Sequence, residues 1–408
     1  MDRKIIIDYE KIQTRVAVLE DGELAELYIE DSQNQRTVGN IYRGRVLNIL
    51  PGMQAAFVDI GLEKNAFLYI DDVDNAENRP IEEVLREGQE ITVQVDKEAI
   101  GSKGARVTTN ITLPGKYAVL IPMANYIGVS KRIVGEEERK RLKSLAQEIR
   151  PEDMGLILRT AASDKGAEAF KREVDILMGL WKELKVQEVK GQVPRPLHRD
   201  ESLVYRTFRD LFTQDVEKFV VNDLDQYHRV LSWVDKIGPS SKNRVEYFDP
   251  SREIFVQFRI EDKIEAAIQR KVWLKSGGYL IIEPTEALTV IDVNTGKYVG
   301  RIDLEDTVLK TNLEAAEQIA AQIRLRDIGG IIVIDFIDME TDKHRQAVLK
   351  AFKQALKRDR TKTNVLGFTG LGLVEMTRKK ARVRLSASLL KPCPHCGGIG
   401  RIYCPNNM

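Results

Sequence analysis

The chain has 408 residues, and its 63 lysines and arginines almost balance its 62 aspartates and glutamates. This length predicts several domains, and the balanced charge excludes a global basic field, so a polyanion would have to bind at local basic patches. All three cysteines lie at or after Cys393, and no apolar run has the length of a membrane span or the form of a signal peptide, so we expect a soluble cytoplasmic protein without a disulfide framework.

The first thirty residues predict a β-meander, with alternating apolar and polar residues over 4–8, 15–20 and 23–29. Asp21-Gly22 is a dipeptide typical of a hairpin turn. Three short strands cannot close a core of their own, so we expect this segment to be one part of a split domain. Asp8 ends the first strand without further carboxylates at matching positions, which favours a scaffold over a catalytic site.

Residues 36–113 predict a small barrel of the oligonucleotide-binding (OB) type. Such barrels bind single strands by stacking bases on aromatic side chains in a basic groove. Phe57 and Phe67 lie on adjacent predicted strands, and Lys103 is among the basic residues nearby. The alternative for each phenylalanine is an ordinary place in the core. The five strands are expected at 44–50, 54–60, 66–70, 91–97 and 106–112.

Residues 114–203 predict a mixed α/β region. Helices are expected at 135–149 and 167–185, and a strand from Gly155 ends in Arg159 and Thr160. An arginine fork, a threonine hydroxyl and a nearby helix N-terminus can together hold a phosphate. The alternative is that Arg159 pairs with a surface carboxylate and Thr160 caps the loop.

The central stretch predicts a strand, a helix and a second strand at 288–294, 306–326 and 329–338. A crossover of this length places its two strands side by side in parallel, so Asp292 and Asp335 are expected at neighbouring carboxyl ends, with Asn294 and Asp338 close by. Converging carboxylates repel unless a cation joins them, and oxygen ligands suit Mg²⁺ or Mn²⁺. Such a site would serve phosphoryl chemistry. The alternative is that both aspartates cap turns.

The C-terminal part predicts an amphipathic helix over 341–359, a strand over 372–376 and a basic cluster that begins at Arg378. This cluster either is a solvated face or contacts a phosphate backbone. Cys393-Pro394-His395-Cys396 has the form of a zinc knuckle, which provides two of the four ligands that zinc needs. Cys404 or His395 could add a ligand, but a second copy of the chain is the simpler source. A redox dithiol is the alternative, and its thioredoxin-like context is missing.

Motifs along nearly the whole chain resemble the ribonuclease E/G family of endoribonucleases. The longest runs without interruption from Arg324 to Met339. The others are Gly44-Arg45-Val46, Ala55-Ala56-Phe57-Val58-Asp59, Gly155-Leu156-Ile157-Leu158-Arg159-Thr160-Ala161, Ile291-Asp292-Val293-Asn294, Thr311-Asn312-Leu313-Glu314-Ala315-Ala316, Gly372-Leu373-Val374-Glu375-Met376-Thr377-Arg378 and Cys393-Pro394-His395-Cys396.

The resemblance implies an α/β multidomain fold. Its parts would be a split ribonuclease H-like scaffold (1–35 and 204–269), an inserted OB-type RNA-binding barrel (36–113), a 5′-sensor region (114–203), a deoxyribonuclease I-like catalytic subdomain (270–390) and a zinc-link (391–408). Family members commonly continue into a small domain that pairs dimers into tetramers. This sequence ends at Met408, so we expect a short form that makes a zinc-linked homodimer, and the resemblance does not carry the tetramer over to it.

The resemblance also implies an activity. Asp292 and Asp335 would hold a catalytic Mg²⁺ or Mn²⁺, assisted by Asn294, for cleavage of single-stranded A/U-rich RNA that leaves 5′-phosphate products. Arg159 and Thr160 would sense a 5′-monophosphate on the substrate and so stimulate cleavage. The expected roles are RNA processing and decay, including rRNA maturation.

Binding roles follow from the same resemblance. Phe57 and Phe67 would clamp RNA, and Cys393 and Cys396 would share one structural Zn²⁺ with a second protomer. From their positive charge, and not from the resemblance, we expect Lys103 and Arg378 to be further RNA contacts. An RNA-binding protein without catalysis is the main alternative, and a DNA nuclease is a weaker one. The aspartate pair separates a nuclease from a pure binder, which gains nothing from carboxylates beside phosphates.

Overall fold

A computed structural model describes residues 2–32, 36–74, 76, 79–99, 103–163, 165–237, 239–296, 304–398 and 400. The first half of the chain contains β1 (Arg3–Tyr9), β2 (Gln13–Glu20), β3 (Glu23–Asp31), β4 (Ile41–Leu50), β5 (Ala55–Asp59), β6 (Ala66–Tyr69), α1 (Ile81–Val84), β7 (Glu90–Lys97), β8 (Arg106–Thr108), β9 (Leu113–Pro114), β10 (Ala118–Ile121), β11 (Ile127–Val129), α2 (Glu136–Ile149), β12 (Gly155–Leu158), α3 (Ala167–Glu188) and β13 (Arg195–His198).

The second half contains α4 (Leu203–Leu211), β14 (Val216–Val221), α5 (Leu224–Ile237), β15 (Val245–Tyr247), α6 (Ile254–Gln257), α7 (Ile260–Ala267), β16 (Lys271–Trp273), β17 (Tyr279–Pro284), β18 (Leu288–Asn294), α8 (Leu304–Leu325), β19 (Gly330–Asp335), α9 (Asp342–Ala355), β20 (Thr363–Phe368), β21 (Val374–Arg378) and α10 (Leu385–Leu389). No helix within the described ranges is both long and apolar enough to cross a membrane.

The chain divides into two compact units. The first comprises Met1–Asp8, Arg15–Ile29 and Phe248–Met408, and the second comprises Tyr9–Thr14 and Glu30–Tyr247. The domain boundaries expected from the sequence are finer than this division and stay predictions.

The second unit contains the predicted barrel. Strands β4, β5, β6, β8 and β7 follow one another in the sheet, and pairing of β4 with β7 closes it. The inward-facing residues form an apolar core that includes Val46, Val58, Leu68 and Val93. Five short strands therefore make a closed barrel, as the pattern of residues 36–113 predicts.

The same unit contains a four-stranded sheet in the order β11-β12-β10-β9, packed with α2 and α3. Glu173 of α3 is buried and accepts hydrogen bonds from the backbone N–H groups of Lys116, Tyr117 and Ala118 (2.6, 2.8 and 2.9 Å). Burial raises the pKa of Glu173, and the three N–H donors, which lower it, do not cancel that rise. This contact ties the helix to the strand that carries residues 118–121.

The first unit contains a six-stranded sheet in the order β16-β17-β18-β19-β21-β20. Helix α8 connects the parallel strands β18 and β19, and it packs on one face of the sheet together with α9, through Ala316, Ile323 and Phe352. Thr341 accepts a hydrogen bond from the N–H of His344 and so caps α9, the amphipathic helix that the sequence predicts. Strands β16, β17 and β20 have no counterpart in the sequence prediction.

The N-terminal strands belong mainly to the first unit. Asp21 and Gly22 both adopt positive φ, as the predicted hairpin turn between β2 and β3 requires. Asp8 is buried and forms an ion pair with Arg15 (2.5 Å), which engages its carboxylate structurally.

Candidate active site and RNA-binding surfaces

The parallel pairing of β18 with β19 brings the two predicted aspartates together. In this register Asp292 and Asp335 are direct partners, and each lies at the carboxyl end of its strand. Ile291 and Ile334, the residues before them, point into the core, so the alternation along a strand turns both aspartates to the face that the helices leave open. The crossover prediction is therefore confirmed down to the register.

The carboxylates at this edge repel one another. Burial, and then the negative charges of Asp292 and Asp338, raise the pKa of Asp335. Asn294 Nδ2 donates a hydrogen bond to Asp292 Oδ2 (2.8 Å), which orients that carboxylate. The repulsion between Asp335 and its two acidic neighbours would be relieved by a divalent cation, which prefers oxygen ligands of this kind.

The donor set fits Mg²⁺ or Mn²⁺ better than zinc. Magnesium is commonly bound by one or two carboxylates and keeps several of its waters, and the Asp292–Asp335 pair is such a set. Within the described ranges, no group of three or more His, Cys, Asp and Glu side chains has the geometry of a metal site. A site completed largely by water and substrate oxygens agrees with both observations.

Asn312 of α8 positions the chain just after Asp335. Its Nδ2 donates to the carbonyl oxygen of Ile337 (2.8 Å), and its Oδ1 accepts from the N–H of Ile337 (3.1 Å). The buried amide thereby holds the segment between Asp335 and Asp338 from both sides. Sequence reasoning missed this role, because the burial of Asn312 and its contact with Ile337 are set by the packing of α8.

Glu314, two residues further along α8, holds a second segment beside the site. Its carboxylate accepts hydrogen bonds from the backbone N–H groups of Lys275 and Ser276, in the turn between β16 and β17. Strands β16 and β17 pair directly, and Tyr279 of β17 is the register partner of Asn294 on β18. Helix α8 therefore fixes the chain on both sides of the aspartate pair.

The barrel presents a row of aromatic side chains. Phe57 and Phe67 are direct partners on β5 and β6, with ring centroids 5.4 Å apart, and Tyr69 continues the row at 4.5 Å from Phe67. Phe57 is 36% exposed and Tyr69 is 38% exposed, so these rings do not belong to the core. Arg106 lies over Tyr69 at 4.9 Å while it pairs with Asp72. Sequence reasoning missed Tyr69.

Lys103 is exposed, whereas residues 100–102 before it lie outside the described ranges.

The predicted RNA contact at Arg378 requires a correction. It is buried, and its guanidinium donates to Asp327 and Asp359, so it cannot reach RNA from this position. The signal was available, because Arg378 is in phase with the buried residues Val374 and Met376 along β21.

Arg159 and Thr160 follow β12 as predicted. Arg159 forms an ion pair with Asp210 (2.6 Å) and donates to the carbonyl oxygen of Gly115 (2.6 Å), and its side chain keeps 29% of its exposure. Thr160 Oγ1 lies 3.1 Å from Ser130 Oγ. The carboxylate pairing that we considered as an alternative is present, and the remaining exposure leaves room for an anion.

The cysteine knuckle lies in a turn near the end of the described chain. Cys393 is exposed, and Cys396 accepts a hydrogen bond to its sulfur from the N–H of Gly400 (3.2 Å). A backbone donor of this kind stabilises a thiolate, which is the form that binds zinc. Cys404, whose role the sequence left open, lies outside the described residues.

Comparison with known proteins agrees with this geometry. The profile described as "Ribonuclease E/G family" matches residues 112–381, and that of the "S1 RNA binding domain" matches residues 35–108. Ribonuclease G of Haemophilus influenzae is 44% identical over 402 residues, covering 96% of this chain and 82% of the relative. Ribonuclease G of Escherichia coli K12 is 42% identical over 414 residues (98% and 85%), and Ribonuclease E of Nostoc is 40% identical over 392 residues (94% and 57%). The chain belongs to the ribonuclease E/G family.

Proposed function

We propose that this chain is a metal-dependent endoribonuclease that cleaves single-stranded, A/U-rich RNA and leaves 5′-phosphate products. Endoribonuclease activity in RNA processing accompanies membership of the family and the printed names of the relatives. The observation that carries the metal-dependent mechanism is the direct pairing of Asp292 with Asp335 at one sheet edge. We include rRNA maturation and mRNA decay in the proposal, and a location in the cytoplasm.

Asp292 and Asp335 are the proposed ligands of a catalytic Mg²⁺ or Mn²⁺. When bound, the cation supplies Lewis-acid activation of a water nucleophile and screens the charge of the phosphate. Asn294 keeps the Asp292 carboxylate in one orientation through its 2.8 Å hydrogen bond. Asn312 holds the segment after Asp335 and so acts as a positioning residue.

The barrel supplies the proposed RNA clamp. Phe57, Phe67 and Tyr69 form a half-exposed aromatic row, and stacking on such rings is tolerant of sequence. Lys103 and Arg106 add positive charge that would attract the phosphates of the RNA. The match of residues 35–108 to an RNA-binding domain supports this part of the proposal.

Arg159 and Thr160 are the proposed contacts for a substrate 5′-monophosphate, and their placement together at the end of β12 supports this role.

For the finer architecture we propose the ribonuclease H-like scaffold and the deoxyribonuclease I-like subdomain with the domain boundaries stated above. Cys393 and Cys396 are the proposed ligands of a zinc ion shared by two protomers.

Cleavage of a 5′-monophosphorylated fluorescent RNA oligomer, with and without Mg²⁺, tests the catalytic proposal. We expect Asp292→Asn and Asp335→Asn to abolish cleavage while RNA affinity stays within a few-fold of the parent, because the loss of a ligand carboxylate removes the cation and leaves the barrel intact. Glu375→Gln is the matched control, since Glu375 is an exposed carboxylate on β21 of the same sheet.

Two outcomes would contradict the proposal. Equal turnover in either aspartate variant would remove the pair from catalysis. Binding without cleavage by the unmodified protein, at any Mg²⁺ or Mn²⁺ concentration, would favour the alternative of a non-catalytic RNA-binding protein, which the RNA-binding domain alone would permit. Cleavage of DNA in place of RNA would favour the alternative of a DNA nuclease.

A further inference from the structure

An exposed aromatic cluster lies on the same face of the six-stranded sheet as the aspartate pair. Trp273 of β16 is 63% exposed, which is unusual for a tryptophan. Its ring centroid lies 5.5 Å from that of Tyr279 on β17, in an edge-to-face arrangement. Lys271 Nζ lies 3.8 Å from the Trp273 ring centroid and 3.7 Å from that of Tyr279.

The strand register relates this cluster to the site. Trp273 is the partner of Tyr279, which is in turn the partner of Asn294. Direct partners point to the same face of a sheet, so the three side chains form one row across neighbouring strands.

A parallel row contains the aspartates. Lys271 is the partner of Ile281, Ile281 of Asp292, and Asp292 of Asp335. Neighbouring strands are about 4.8 Å apart, so Trp273 lies about 10 Å from Asn294 in the backbone. The opposite face of the sheet is covered by α8 and α9, whereas this cluster remains open to solvent.

The chemistry of the cluster matches a nucleobase. Exposed aromatic rings stack on any base, and an ammonium group above those rings adds positive charge where a nucleic acid would place its phosphates. The two rings hold Lys271 in position from two sides, so the charge is already oriented. An aliphatic protein surface would gain nothing from contact with the ammonium group at the centre of this cluster.

We propose that Trp273, Tyr279 and Lys271 form a stacking subsite for one base of single-stranded RNA, beside the position at which the aspartate pair would hold the scissile phosphate and its metal ion. Trp273 contributes the exposed ring, Tyr279 supports it edge-on, and Lys271 contacts the adjoining backbone. The inference rests on the proposed function for the identity of the ligand. It adds a base contact on the catalytic sheet, separate from the aromatic row of the barrel.

An abasic scan of the RNA tests the subsite. Affinity for a single-stranded RNA oligomer is measured without added divalent metal, so that the result does not depend on cleavage. The oligomer then carries one abasic nucleotide at each position in turn. We expect Trp273→Ala to weaken binding of the intact oligomer roughly fivefold to a hundredfold, and Trp273→Phe to retain most of the affinity.

The decisive result is non-additivity. At one position the abasic nucleotide should weaken binding to the parent protein and have no further effect on Trp273→Ala, because both changes remove the same stack. Ile331→Ala is the matched control, since Ile331 is an exposed apolar residue on β19 and belongs to the same face. We expect it to leave affinity unchanged.

Three results would overturn the inference. They are additive effects at every position, an equal loss of affinity in Ile331→Ala, and a Trp273→Ala variant that alters self-association in sedimentation while it binds RNA normally. The last result would make the cluster a contact between copies of the chain. None of these depends on whether Asp292→Asn and Asp335→Asn lose cleavage, so failure of the subsite and failure of the catalytic proposal are distinguishable.

Discussion

Arg159 illustrates how a residue can be anchored and still available to a ligand. Its guanidinium binds Asp210 and the carbonyl oxygen of Gly115, and Asp210 is also bound by Arg209 (3.0 Å). Burial alone would raise the pKa of Asp210, but the hydrogen bond and charge of Arg209, with the charge of Arg159, lower it. The carboxylate therefore stays ionised and holds Arg159 in place, which would reduce the entropy cost of the proposed contact with a 5′-phosphate.

We expect Arg159→Ala to remove the preference for a 5′-monophosphate over a 5′-hydroxyl. The loss of one charged hydrogen-bonding contact corresponds to about 1.5–3 kcal/mol, or roughly a tenfold to hundredfold fall in the ratio of the two kcat/KM values. The measurement compares two oligomers that differ only at the 5′ end. Arg172→Ala is the control, because Arg172 is exposed on α3 and its contacts are a 3.9 Å ion pair with Glu168 and a 3.3 Å hydrogen bond to the carbonyl oxygen of the same residue. An unchanged ratio in Arg159→Ala would make Arg159 a structural residue only.

Sequence reasoning at this scale identified residue types more reliably than their partners. Asp292 and Asp335 were predictable because both follow apolar runs that end at one edge of a sheet. Asn312 was not, since its partner Ile337 is 25 residues away and is specified only by the packing of α8. Arg378 was misplaced because basic residues usually face solvent, and its two acidic partners come from separate turns of the chain.

At the scale of elements, the turn between β16 and β17 packs so closely against β18, the strand of Asp292 and Asn294, that it has no space for a side chain at residue 278. A Cβ atom added at Gly278 would lie 2.7 Å from the carbonyl oxygen of Asn294 and 3.2 Å from Thr311 Cγ2. Both neighbours are fixed, one by the backbone of β18 and the other by a buried position on α8. Glycine at 278 is therefore what lets the turn approach Asn294.

We expect Gly278→Ala to displace the Asn294 backbone, lower cleavage and cost about 1–3 kcal/mol of stability, because the added carbon has no space without backbone movement. Cleavage rates and thermal unfolding of the purified variant measure both effects. Gly370→Ala is the matched control, since no heavy atom lies within 4 Å of its added Cβ. Full activity and stability in Gly278→Ala would mean that the turn is able to move away at no cost.

The elements themselves were predictable to different degrees. Helix α8 and strands β18 and β19 were found because their apolar periods are long and end at glycine or an acid. Strands β16 and β20 were missed because they are edge strands without a long apolar run, in which two of three and two of six residues are exposed. Their place depends on pairing with neighbours far along the chain, which local periodicity does not contain.

At the scale of the first unit, a buried ion-pair network joins the N-terminal strands to α8. Arg324 donates to Glu26 (2.8 Å) and to both oxygens of Glu20 (2.8 and 3.0 Å). Burial alone would raise the pKa of Glu26, but the charges of Arg324 and Arg360 and a hydrogen bond from Tyr28 outweigh it and lower the pKa to about 2. The network thus contributes stability only while Glu26 is ionised.

The sign of the pH dependence follows from this shift. The folded pKa lies below the ordinary value of 4.5, so the contribution is present above about pH 4.5 and is lost as the pH falls towards about 2. We expect Glu26→Gln to lower the free energy of unfolding at neutral pH by about 3–5 kcal/mol, since it leaves a buried arginine partly unpaired. The deficit should shrink as the pH falls through that window.

Urea unfolding at a series of pH values measures this deficit. Glu23→Gln is the control, because Glu23 is 84% exposed on β3 and pairs only loosely with Lys263 (3.4 Å). We expect it to change stability little at any pH. A deficit in Glu26→Gln that stays constant from neutral to acid pH would show that charge on Glu26 does not carry the effect.

At the scale of the whole molecule, the cysteine knuckle bears on the assembly of two chains. Cys393 and Cys396 supply two thiolates, and a tetrahedral structural zinc needs four ligands. If a second protomer supplies the other pair, the protein should contain one zinc per two chains and sediment as a dimer. If His395 and Cys404 complete the site within one chain, it should contain one zinc per chain. The stoichiometry therefore decides between the two arrangements before any variant is made.

We expect the double variant Cys393→Ser, Cys396→Ser to lose its zinc and shift towards monomer, as measured by metal analysis and sedimentation. Cys404→Ser is the control and should keep one zinc per two chains, because the shared site does not need a third thiol from each protomer. A dimer that persists without zinc would mean that another interface holds the chains together. Zinc loss in Cys404→Ser would instead assign the remaining ligands to the same chain, and the knuckle would then stabilise its own terminus.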